Sequence, residues 1–96
     1  MLIDSHCHLD PAYLPAGPAD VLARAEACGV GAFVCIGVGR DLGAARAAVA
    51  LADERANVFA TVGVHPHDAS GAEQAELAEL AQLARNPRVV AVGEVG

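Results

Sequence analysis

The sequence contains no lysine and no tryptophan, and aromatic residues make up only 3% of it. Its six basic residues, all arginine, stand against twelve acidic ones, for a formal net charge of -6. That balance argues against a sequence-independent grip on nucleic acid through a basic surface. It leaves open a nucleic-acid substrate held by bound metal ions. No run of like charge reads as a tail. No apolar run approaches the ~20 residues that a membrane span needs. There is no C-x-x-C pair, the three cysteines (Cys7, Cys28 and Cys35) are odd in number, and no secretory apolar segment precedes them. These absences point to a soluble protein with free thiols in a reducing, cytoplasmic setting.

What is present is a globular chain, 54% hydrophobic, with no linker-like stretch, so the 96 residues read as one small domain. Its punctuation is regular. Leu2 to Ser5 reads as a strand, followed by a Pro/Gly loop and a helix over about Ala19 to Cys28. Val21, Leu22, Ala25 and Cys28 share one face of that helix. Gly29 stands where a left-handed cap is expected. Ala32 to Ile36 is continuously apolar, the mark of a strand covered on both faces.

Asp41 can cap a helix over about Leu42 to Arg55 that buries Leu42, Ala45, Val49 and Ala52. Val58 to Val64 reads as a third strand. Ser70 and Glu73 fit a capping box that opens a helix through about Arg85, with Leu77, Leu80, Ala81 and Ala84 inward. Val89 to Val92 is a fourth strand. The order β-α-β-α-β-α-β, in units of roughly thirty residues, predicts parallel strands with right-handed crossovers. Two α/β architectures accommodate it: an open doubly wound sheet, or part of a (β/α)8 barrel. Both gather their chemistry at the C-terminal strand ends.

"SHCHL" lies at the end of the first strand. Residues two apart in an extended segment point the same way, so His6 and His8 can lean onto one metal ion. Cys7 points to the opposite face and reads as a small buried hydrophobe. Asp4 shares the histidines' parity, so it either orients an imidazole from beneath or bonds neighbouring backbone. In "GVHPHD", His65 follows the third strand and can meet substrate or a phosphate, whereas His67 and Asp68 read as loop residues. In "VGEVG", Glu94 follows the fourth strand. A carboxylate there can bridge two cations, although taken alone it reads as a solvent-facing loop residue. The glycines Gly37, Gly39 and Gly43 are spaced one residue too widely for a dinucleotide fingerprint and follow the second strand.

With these residues in place, the sequence resembles the TatD family of metal-dependent deoxyribonucleases and hydrolases, among the amidohydrolase-like TIM barrels. The matching stretches are "IDSHCHLD", "GVGRDL", "GVHPHD" and "VGEVG", in order along the whole chain. The resemblance implies a partial (β/α)8 TIM barrel, the first four parallel strands with three helices. It also implies that His6 and His8 are metal ligands, that Glu94 bridges two metals and takes part in catalysis, and that His65 faces substrate. The cofactors implied are divalent ions, two in the full-length protein, of zinc, magnesium or manganese. The reaction implied is hydrolysis of phosphodiester bonds in DNA by metal-activated water.

The family's remaining ligands, two histidines and an aspartate on later strands, have no counterpart in these residues. A complete barrel is typically ~250 residues. The expectation is therefore the N-terminal part of a single hydrolase domain, residues 1–96, truncated after the fourth strand. The first and fourth strands would be open edges through which the fragment self-associates. A second reading is a non-catalytic fragment or half barrel. A third keeps the metal chemistry and changes the substrate to a small-molecule amide or ester.

Overall fold

In the computed structural model, which describes residues 1–96, the expected alternation is present. Strand β1 covers Leu2–Cys7, helix α1 Ala19–Ala27, β2 Val30–Gly37 and α2 Gly43–Glu54. Then come β3 over Val58–Val62, a 3-10 turn over Pro66–Gly71, α3 over Gln74–Leu83 and β4 over Val89–Val92. All four strands are parallel, in the order β1-β2-β3-β4.

The local causes are visible at the joints. Gly29, after α1, has φ 97°, the left-handed conformation that glycine adopts without cost. Asp41 Oδ1 accepts from the Gly43 N–H at 2.8 Å in the turn before α2, but the cap residue is Leu42, so Asp41 is not the helix cap expected of it. The third helix departs from expectation. Ser70 lies inside the 3-10 turn, and the residue before α3, Glu73, is extended and caps nothing with its side chain. Pro66 supplies a fixed φ at the first position of the turn, and the turn takes up Ser70 before the helix can begin.

One hydrophobic cluster holds the fold. Leu22 of α1, Ala45, Ala48, Val49 and Ala52 of α2, and Val58, Ala60 and Val62 of β3 are all buried, together with Phe33 and Cys35 of β2. The alanines of α2 let that helix lie close on β2 and β3. From α3, Leu80, Leu83 and Ala84 pack on the cluster, whereas Leu77 is 48% exposed and Ala81 is also exposed, against expectation. The exposed Arg46 and Glu79 side chains join α2 to α3 by paired hydrogen bonds of 2.8 and 2.6 Å. Cys28, expected on the inner face of α1, is exposed.

The strand order and the helix placement decide the architecture. A doubly wound sheet reverses its strand order and carries helices on both faces. Here the order is sequential, and all three helices feed one cluster. The sheet is a segment of a barrel wall, with β1 and β4 at its edges. Leu2, Ile3, Val90 and Val92 are exposed apolar residues on those two strands.

The pairing of β1 with β2 is not uniform. Asp4 stands opposite Phe33 and Cys7 opposite Cys35, so β1 carries one extra residue between them. Phe33 and Cys35 are both buried in the helix-facing cluster. The irregularity therefore breaks the simple alternation that would have stacked Asp4 beneath both histidines.

Candidate metal centre

His6 and His8 sit at the end of β1, His65 three residues past β3, and Glu94 two residues past β4. β1 and β4 are opposite edges of the sheet, three strand spacings apart, about 14 Å if the sheet were flat. Yet His6 Nε2 lies 3.9 Å from Glu94 Oε2. The sheet curls far enough to bring its two edges' strand ends together, as a barrel wall does. From β3 between them, His65 Nε2 reaches the other carboxylate oxygen, Oε1, at 3.4 Å. Glu94 is thus flanked by two imidazoles, one on each oxygen.

A small network fixes Glu94 in that position. Thr61, 5% exposed, donates from Oγ1 to the Gly93 carbonyl at 2.9 Å. The same oxygen accepts from the Gly37 N–H at 3.4 Å. The Gly93 N–H donates to the Val62 carbonyl at 2.9 Å. Gly63 makes room for this segment, since a Cβ there would lie 2.9 Å from Gly93 C and O. Sequence reasoning did not single out Thr61 or Gly63. The available signal was a lone hydroxyl in an otherwise apolar strand that is covered on both faces.

His65 is also held. Its Nδ1 accepts from the His67 N–H at 3.1 Å. A neutral ring that accepts at Nδ1 carries its proton on Nε2, and Nε2 is the atom facing Glu94. The geometry suits His65 to donate toward Glu94 or toward a bound anion. His67 is exposed and its ring lies beside that of His65, centroids 4.7 Å apart and tilted by 59°. Both His67 and Asp68, expected in a loop, lie within the 3-10 turn.

The His6 and His8 rings lie 5.3 Å apart, nearly edge to face. The buried His8 Nδ1 has no hydrogen-bond partner. A buried ring nitrogen without a partner is costly, and a bound cation is one group that would relieve it. Asp4 does not reach either ring. Its Oδ1 accepts from the His6 backbone N–H at 3.1 Å, so it holds the strand rather than an imidazole.

Cys7 takes no part in the cluster. Its Sγ donates to the Val34 carbonyl at 3.4 Å. Burial first, then the negative charge of Asp4 and the neighbouring Cys35, push its pKa up to about 12. It stays a thiol at neutral pH and is no nucleophile.

The donor set of two imidazoles and a carboxylate is the chemistry of a divalent-metal site. Ligand atoms around one tetrahedral ion stand roughly 3.3–3.5 Å apart, given bonds of about 2.0–2.1 Å. The His6–Glu94 spacing, 3.9 Å, is somewhat longer than that, while the 3.4 Å from His65 Nε2 to Glu94 is a donor–acceptor contact. No three such side chains close into a ligand cage. The donors fit a metal ion in type, and His6 with Glu94, 3.9 Å apart, is the pair nearest to ligand spacing. No helix is long and apolar enough to cross a membrane.

Comparison with known proteins identifies the family. The family described as TatD related DNase matches residues 3–96. The chain is 40% identical over 77 residues to the "3'-5' ssDNA/RNA exonuclease TatD" of Citrobacter koseri, covering 80% of this chain and 29% of that protein. It is 41% identical over 99 residues to the "Uncharacterized metal-dependent hydrolase TatD" of Mycobacterium tuberculosis, covering 99% of this chain and 36% of that protein. With the "Uncharacterized metal-dependent hydrolase YabD" of Bacillus subtilis it shares 32% identity over 96 residues, 100% of this chain and 37% of the relative. The chain therefore spans only 29% to 37% of the length of these relatives.

Proposed function

This chain belongs to the TatD-related DNase family, and on that premise we propose that it forms the first four strands of a barrel that hydrolyses phosphodiester bonds in nucleic acid with a metal-activated water. The observation that carries this reading is the convergence of His6, Glu94 and His65 from β1, β4 and β3 on one point at the strand ends. Barrel enzymes place their chemistry at that end. The name of the Citrobacter koseri relative, an exonuclease on single-stranded DNA and RNA, supplies the substrate class.

In this reading His6, His8 and Glu94 would hold the metal. Glu94 faces His6 through Oε2 and His65 through Oε1, and it would be the shared ligand if two ions bind. When bound, a divalent ion supplies Lewis acidity and lowers the pKa of a coordinated water. His65, with its proton on Nε2, is placed to donate to a phosphate oxygen. Thr61 and Gly63 keep the Glu94 carboxylate at the meeting point. An acidic chain with this equipment binds nucleic acid weakly without metal, in contrast to a groove binder held by basic residues. The imidazoles suit zinc, and the carboxylate with a phosphate substrate suits magnesium or manganese.

The test is nucleotide release from single-stranded DNA, with and without added zinc, magnesium or manganese. Turnover that disappears with a chelator and in both His6→Ala/His8→Ala and Glu94→Gln supports the reading. Equal turnover in those variants, with metal content verified, would sink it. The open edges of β1 and β4, with Leu2, Val90 and Val92 exposed, also favour self-association. A concentration-independent monomer in sedimentation would remove that proposal without touching the chemistry.

A further inference from the structure

A cleft of about 660 Å³ opens beside the histidine pair, between the loop after β1 and the loop leading into α2. Its volume falls in the range of small-molecule sites. Tyr13 and Arg40 line it, one from each loop. We propose that this cleft is a nucleotide subsite, in which a base stacks on Tyr13 and the adjoining phosphate meets Arg40. The proposal rests on the nucleic-acid reading above and names where the strand lies next to the metal centre.

The aromatic side chain is the right kind and in the right place. Of the chain's three aromatics, Phe33 is buried and Phe59 lies under the Arg88 guanidinium, 4.3 Å from its ring centroid. Tyr13 alone is largely exposed, at 66%. Its ring stands 5.6 Å from that of His8, so the cleft adjoins the metal-binding pair. Exposed aromatics beside a backbone-tracking cation are how single strands are held without sequence preference.

The loop that carries Tyr13 is firmly built. Asp10, 9% exposed, accepts from the Ala12 N–H through Oδ1 at 2.8 Å. Its carbonyl accepts from the N–H groups of Tyr13 and Leu14 at 3.1 and 3.0 Å. Tyr13 is therefore presented by a fixed turn.

Arg40 is the free cation at this end of the sheet. Arg46 and Arg55 are paired with Glu79 and Glu26, and Arg88 is bonded to backbone carbonyls. Arg24 and Arg85 belong to the C-terminal ends of α1 and α3, at the opposite end of the strands. Arg40 follows β2, is exposed and has no ion-pair partner. Two carboxylates share the cleft, but Asp10 Oδ1 and Asp41 Oδ1 each accept from a backbone N–H, of Ala12 and Gly43. The guanidinium keeps its donors for an anion such as phosphate.

The chain has a single tyrosine, so its ring protons form one NMR signal set that reports on this cleft alone. A deoxynucleoside 5'-monophosphate should shift those signals upfield in a saturable way, with deoxyribose 5-phosphate giving a much smaller shift. Arg40→Ala should weaken the affinity about tenfold, the loss of one charge-assisted contact. Tyr13→Trp should retain binding by calorimetry, and Tyr13→Ala should lose it. Both positions are exposed, so these variants are expected to fold, and circular dichroism verifies it. No saturable shift, equal shifts with deoxyribose 5-phosphate, or an affinity unchanged in Arg40→Ala would overturn the subsite. In Glu94→Gln the nucleotide should still bind at Tyr13 while metal-dependent turnover is lost, which separates failure here from failure of the hydrolase reading.

Discussion

Thr61 Oγ1 donates to the Gly93 carbonyl at 2.9 Å, and through that contact a buried strand holds the residue that precedes Glu94. The hydroxyl also accepts from Gly37, so one side chain ties the ends of β2 and β3 to the segment after β4. Thr61→Val keeps the shape and removes the donor, leaving the Gly93 carbonyl one partner short. The expected loss is about 1–3 kcal/mol of stability, together with weaker metal binding. Thr61→Ser should restore the metal affinity. Thermal unfolding and metal titration of the two variants check this, and equal metal affinity in Val and Ser would contradict it.

Gly63→Ala tests the same segment from the other side. The added Cβ would meet Gly93 C and O at 2.9 Å, and those are backbone atoms that cannot rotate away. The Gly93–Glu94 segment must then lift from β3. We expect a loss of about 1–3 kcal/mol from overpacking and a change in the His6 and His65 ring signals in NMR spectra. Gly71→Ala serves as the comparison, because nothing lies within 4 Å of a Cβ there. Its unfolding midpoint should barely move.

Arg88 closes the opposite end of the barrel wall. Its guanidinium donates to the carbonyls of Ala52, Arg55, Ala56 and Val58 at 2.7–3.2 Å and stacks on Phe59. It satisfies the end of α2 and fastens β4 to β3. Arg88→Ala should cost about 2–3 kcal/mol. Arg88→Lys should recover only part of that, because an ammonium cannot reproduce the planar fork. Chemical denaturation of the three proteins measures both.

The element order and nearly all the core of α2 were legible in the sequence, because apolar periodicity and glycine punctuation act locally. The gathering of His6, His65 and Glu94 was legible only through kinship. Parity places His6 and His8 at a strand end but says nothing of how far the sheet curls toward Glu94. The capping box, and one of the two roles open to Asp4, gave way to local backbone features. The Ser70–Glu73 capping box lost to the 3-10 turn begun at Pro66. The stacking of Asp4 under the histidines lost to the extra residue in β1, which pairs Asp4 with Phe33. Thr61 was missed because a threonine in a strand is unexceptional until its partner on another strand is known.

The three cysteines separate by environment, and that gives a pH prediction. Cys28 is exposed, Cys7 half-buried and Cys35 buried. Burial raises the pKa of both Cys7 and Cys35, and Asp4 raises Cys7 further. A disulfide-exchange reagent at neutral pH should therefore modify one thiol quickly, and Cys28→Ser should abolish that fast phase. A raised thiol pKa means that the folded state holds its proton more tightly than the unfolded chain. The stabilisation is full below the ordinary thiol value of 9.0 and is lost as pH rises toward about 12, the folded value for Cys7. Unfolding midpoints should fall with pH across that window. The fall should be shallower in Cys7→Ala, whose baseline stability is lower but which no longer has a buried thiol to ionise at that position. A slope unchanged by Cys7→Ala would mean that other groups govern the alkaline limb.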